Sequence, residues 1–195
     1  MNKKSRKLLL AEHAVLETDR LILRPLTLED TADVFEYVSD EETMRYIFKP
    51  HTNLQQTAEF IANYYLASLL GFYALEHKDD KKMIGVVEFR IDDKEHEGEI
   101  GYMLNKKYWR QGFTTEACLR ILSLGFHTLG LEHINSGHDK GHTASGNVLK
   151  KIGMSFEHLT ENTHEVNGEM VDTLFYGITR EAYLKSQEEG SQELS

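Results

Sequence analysis

A chain of 195 residues with 40% hydrophobic residues, 28% charged residues and two prolines can bury one core without covalent staples, which excludes disorder and fibrous repeats as descriptions of the whole. A formal net charge of -10 at pH 7 excludes a protein that grips nucleic-acid phosphates through Lys and Arg, and it favours a cationic amine or a basic peptide as partner. No apolar run approaches the roughly 18 residues of a membrane span and Cys118 is the single cysteine, so the expected setting is cytoplasmic, with no membrane partner and no internal disulfide.

The basic start carries Lys3, Lys4, Arg6 and Lys7 before a leucine run too short for a signal sequence. Residues 1–17 are expected as an N-terminal extension, 18–185 as one domain and 186–195 as a disordered tail. Arg20 to Leu26 has strand composition, and Thr27 with Asp30 three residues later predicts a helix cap ahead of Val34, Phe35 and Val38. Phe60, Ile61, Tyr64, Tyr65 and Leu69 fall at helical spacing, and Gly71 stops that helix.

Three β-rich runs follow, Phe72 to His77, Met83 to Ile91 and Glu99 to Leu104, parted by charged turns. Ala117, Cys118, Ile121, Leu122, Phe126 and Leu129 then form the apolar stripe of a helix opened by Gly112. His133 to Ser136 predicts a short strand, Thr143 to Ile152 a helix ended by Gly153, and Asn167-Gly168 the turn of a closing hairpin. The order is β-α-α-β-β-β-α-β-α-β-β, an α/β (α+β) domain with a central mixed, mostly antiparallel seven-stranded sheet flanked by helices.

The chemistry concentrates between Tyr102 and Ala117. A loop that leaves a strand at Leu104 and enters a helix at Gly112 presents unpaired backbone N–H groups to an anion, and the helix dipole favours a pyrophosphate there. Glycine lets the backbone come close, and Thr114 and Thr115 add hydroxyl donors.

Five segments in order resemble the GNAT N-acetyltransferase superfamily, and within it the ribosomal-protein N-terminal acetyltransferase (Rim) branch. They are Thr18 to Leu26, Glu99 to Leu104, Tyr108 to Ala117, Ala144-Ser145 with the residues through Met154, and Asn167-Gly168 with Asp172 and Tyr176. The resemblance implies acetyl-CoA as co-substrate and a primary amine as acceptor: a protein N-terminal α-amine such as that of a ribosomal protein, a polyamine, or an antibiotic or other small-molecule amine. It implies direct attack in a ternary complex and a V-shaped split in the sheet. From another class, the chain could be a CoA-binding module without catalysis. Oligomeric state is left open between monomer and homodimer.

The implied cofactor contacts are Tyr102, Met103 and Leu104 at the split, Arg110, Gln111, Gly112, Phe113, Thr114 and Thr115 on the loop, and His142 and Ser145 at the next helix. An N–H near Met103 or Leu104, freed by a bulge, would hold the developing oxyanion. The family position for the acid near the sulfur is Ser145, a weak acid whose hydrogen bond to the thiolate is the more natural role. Glu88, Glu99, His164 and Glu165 are the candidate bases, and alternation forbids His164 and Glu165 from both facing the cleft. His142 stands where the family carries Asn, which leaves the pantetheine contact open. His133, His138, His142 and Asp139 lack metal-site spacing, so no metal is expected. Tyr108 and Trp109 are expected to anchor the loop, and Cys118 to pack.

Overall fold

A computed structural model describes residues 4–166 and 168–192. Helix α1 (Arg6–Glu12) and the two-residue strand β1 (Leu16–Glu17) precede β2 (Leu21–Arg24), in which Leu21 and Leu23 are fully buried. The Thr27–Asp30 pair forms the expected reciprocal cap, and α2 (Thr31–Val38) and the single-turn α3 (Glu41–Met44) follow. Asn53 caps α4 (Leu54–Phe60), which loosens into a π-turn at Ile61–Tyr65 before Gly71.

Strands β3 (Phe72–His77), β4 (Lys82–Asp92) and β5 (Glu97–Leu104) make the expected antiparallel meander. Helix α5 (Phe113–Ser123) continues as a π-turn, Leu124–Thr128. Then come β6 (His133–Asp139), α6 (Thr143–Lys151), β7 (Ser155–Val166), β8 (Glu169–Thr179) and α7 (Arg180–Gln192). The sheet has eight strands in the order β1-β2-β3-β4-β5-β6-β8-β7, against seven expected; the added strand is β1.

Two further expectations change. Leu10 and Leu16 are buried in the main core, and Arg6 donates to Leu129 O at 2.9 Å, so residues 6–17 pack as part of the fold. The stretch from Ser186, expected as a disordered tail, is helical through Gln192. Asn167 of the expected Asn-Gly turn lies outside the described residues; Gly168 has φ +90°.

The sheet separates two apolar clusters. One joins α5 to Val87, Phe89, Ile100, Leu104 and Ile134; the other joins α2 and α4 to Ala74, Val86 and Met103. Among the described residues the second cluster takes no member from β6, β7 or β8, so the helical cover on that side ends at β5. No helix of the described residues is long and apolar enough to cross a membrane.

Gly71 shows how tightly the turn into β3 meets β4. Its φ is +89°, and an added Cβ would stand 2.2 Å from the Phe89 carbonyl oxygen, which is backbone and cannot yield. Gly71→Ala combines a left-handed penalty of about 1–2 kcal/mol with an overpacking cost of about 1–3 kcal/mol. Thermal unfolding should show a Tm lowered by roughly 10 °C; an unchanged Tm would contradict this packing.

Candidate active site

The parallel ladder between β5 and β6 pairs Glu97, Glu99 and their neighbour Gly98 with His133–Asn135 and goes no further. β5 continues to Leu104, so the two strands part over residues 100–104. Successive N–H groups of a strand point to opposite neighbours. Asn105 N–H donates to Ile84 O on the β4 side at 2.8 Å, so the N–H groups of Tyr102 and Leu104 point into the split. The expected bulge in β5 is not found: its register with β4 runs without a shift from Glu97 to Leu104. Divergence from β6 exposes the amides instead.

The split opens into a cleft of about 590 Å³. Its lining includes Tyr102, Met103 and Leu104, then Arg110, Gly112, Phe113, Thr114 and Thr115, and across from them His142 and Ser145. Gly112 caps α5 at φ +85° with no side chain on the first-turn amides, and Arg110 also sits at positive φ, +61°. The result is a run of unclaimed donors at a helix start, which fits a pyrophosphate.

The loop is held from both ends. Trp109 Nε1 donates to Leu104 O at 2.8 Å and the Tyr108 hydroxyl to Asp80 at 2.7 Å, which fits their expected anchoring role. Arg20 lies 4.2 Å over the Phe113 ring, bonds Glu116 through Nε at 2.7 Å and donates to Gln111 O at 2.9 Å. Two segments far apart in sequence, the opening strand and the loop, therefore form one unit. Gln111 does not line the cleft; its side chain donates back to Lys107 O at 3.1 Å.

Ser145 is buried in the first turn of α6, and its hydroxyl lies 2.8 Å from the Tyr102 hydroxyl. His142 at the start of α6 stacks on Tyr46 with 4.7 Å between centroids, and burial lowers its pKa. Glu42, Arg45, Tyr46 and Ile47 complete the mouth. Cys118 is fully buried under the sheet, and burial pushes its thiol far up, consistent with a packing role.

The candidate bases separate. His164 pairs with Val171 and Glu165 with Met170, so they face opposite sides of the β7–β8 hairpin; both are exposed and neither lines the cleft. Glu99 is exposed and pairs with Arg90 at 3.3 Å. Glu88 does not line the cleft either, but it alone of the four is buried: it is 8% exposed, accepts from the Tyr64 hydroxyl at 3.1 Å and pairs with Arg90. It stands opposite Gly101 in the β4–β5 ladder, and its carboxylate lies over the space a side chain there would fill. Burial raises its pKa, and the bonds from Arg90, Tyr64 and Tyr65 only partly offset this. The helical spacing placed Tyr64 in a stripe but gave neither it nor Arg90 a place at the site, because no sequence pattern signals a contact between the Ile61–Tyr65 π-turn and β4. Among the described residues no group of His, Cys, Asp or Glu is placed to hold a metal ion.

Comparisons with known proteins agree with this geometry. Residues 20–155 match the family described as "Acetyltransferase (GNAT) domain". "Uncharacterized N-acetyltransferase YoaA" of Bacillus subtilis (strain 168) is 32% identical over 171 residues, 85% of this chain and 97% of that protein. A GNAT-family acetyltransferase structure from Bacillus anthracis superposes with a TM-score of 0.77 at 27% identity, covering 86% of this chain and 99% of that one. At 17% identity the fold is shared, with a TM-score of 0.75 and 86% and 99% coverage, with RimL, a ribosomal L7/L12 α-N-protein acetyltransferase crystallised with coenzyme A. With the split sheet and the donor-rich turn before α5, these matches place the chain in the GNAT acetyltransferase family, as an acetyl-CoA-dependent N-acetyltransferase.

Proposed function

We propose that the acceptor is the α-amine of a protein N-terminus, as in the Rim branch, attacked directly in a ternary complex. One observation carries this reading: the α2/α4 cover stops at β5, and β7 is exposed from Ser155 through Glu165, so the acceptor side is an open shelf. An extended peptide fits a shelf, whereas a small amine favours an enclosed pocket. The likeness to RimL supports the same choice.

Bound acetyl-CoA supplies an activated acyl thioester. The first-turn amides of α5, with Thr114 and Thr115, hold its pyrophosphate. The Leu104 N–H, directed into the split, donates to the oxygen that gains charge. Glu88, raised above the ordinary carboxylate value by burial, takes the amine proton through water. Ser145 donates a hydrogen bond to the departing sulfur. His142 braces the segment that follows α3 through its stack on Tyr46, in place of the pantetheine contact.

Thiol release from acetyl-CoA, followed with three acceptor sets, tests the acceptor class. Peptides with free N-termini should turn over, while the same peptides with blocked N-termini and internal lysines, and polyamines, should not. Turnover of polyamines alone would overturn the peptide reading.

A further inference from the structure

Ser145 makes one side-chain hydrogen bond of note, and its partner comes from the opposite wall of the split. The Tyr102 hydroxyl lies 2.8 Å from Ser145 Oγ and 3.0 Å from Ser145 O, so its single proton has two acceptors on the same residue. If Tyr102 donates to the carbonyl, the Ser145 proton can fall on the phenol oxygen and is lost to the cleft. If Tyr102 donates to Oγ, the Ser145 proton is free to point at a ligand.

We propose that Tyr102 is a positioning residue that acts through Ser145: it donates to Oγ and so directs the serine proton at the sulfur of coenzyme A. Two features favour this arrangement once a thiolate is present. A hydrogen bond to an anion is stronger than one to a neutral carbonyl, so the charge selects the orientation that frees the serine proton. Burial also pushes the Tyr102 phenol far up, with a lesser lowering by Ser145, so it keeps its proton and remains a donor. No proton leaves Tyr102 or Ser145 in this scheme; the sulfur departs as a thiolate under a hydrogen bond.

The inference rests on the role given to Ser145 above and needs no acceptor to test. The thiol of bound coenzyme A is titrated through its ultraviolet thiolate absorbance in the wild type, Ser145→Ala, Tyr102→Phe and the double variant. Loss of a charge-assisted bond should raise the thiol pKa by about one unit in Ser145→Ala. Tyr102→Phe should raise it by roughly half as much, and by nothing once Ser145 is alanine. Replacing Tyr102 by 3-fluorotyrosine, the same shape with a more acidic phenol, should move the thiol pKa downward, which a merely structural role would not do. Equal shifts from Tyr102→Phe in both backgrounds, or no shift in either, would overturn the inference while leaving the Ser145 assignment standing. Failure of the wild-type chain to bind coenzyme A would remove both.

Discussion

Glu88→Gln is expected to lower kcat by about 10²–10⁴-fold, the usual worth of a positioned base, with little change in affinity for acetyl-CoA. The substitution keeps the shape that fills the space over Gly101 and can still accept from Tyr64, so the loss reports the charge and the basicity. The pH profile carries the sign. Burial holds the Glu88 carboxyl above the ordinary carboxylate range, so the acid limb of kcat/KM should lie above that range and vanish in the glutamine variant. A raised pKa also means that the contribution of this group to stability is present at low pH and is lost as pH rises through its folded-state value. At neutral pH the glutamine variant should therefore be at least as stable as the wild type. A Glu88→Gln enzyme with full kcat would return the base to the shelf, to Glu99 or His164.

Gly112→Val is expected to weaken acetyl-CoA binding by about 10–100-fold, the worth of one or two bonds to a charged group. Space is not the obstacle, because an added Cβ would meet only Arg20 at an ordinary 3.5 Å. The obstacle is φ +85°, which a β-branched residue does not adopt. The turn must rebuild, and the first amides of α5 then cease to converge. Gly130→Val is the control: φ is +62° with nothing within 4 Å, and Gly130 does not line the cleft. Titration calorimetry with coenzyme A should show a loss in the first variant and none in the second. Equal affinities would detach the pyrophosphate from this turn.

Much of the fold was legible because local rules governed it. The Phe72 to His77 strand, the Thr27–Asp30 cap and the stop at Gly71 follow from β-rich composition, side-chain reach and backbone freedom. The extension escaped because Leu10 and Leu16 are buried in a cluster whose other members run from Leu21 to Tyr183, and no window spans them. The loop before α5 was legible as a motif, though the register with β4 was not, so a bulge was expected where β5 simply leaves β6.

The candidate base was the least legible part. Alternation allows only one of His164 and Glu165 to face the shelf, but the register shift between Thr160 and His164 resets which one, and no pattern signals it. Glu88 reads as an ordinary strand carboxylate until Tyr64, 24 residues earlier, closes over it. His142 breaks the family motif, and its stack on Tyr46, 96 residues earlier, becomes visible only in the folded chain.

The central claim, direct transfer from acetyl-CoA to an amine, is tested most directly by a single turnover with label in the acetyl group and acid quenching of the mixture. Label should pass into the peptide α-amine, one thiol released per acetyl amide formed, with no label on the protein, whose one cysteine is fully buried. Acetyl-protein that forms and decays at the turnover rate, or label that goes to acetate at the same rate with and without the amine, would contradict it.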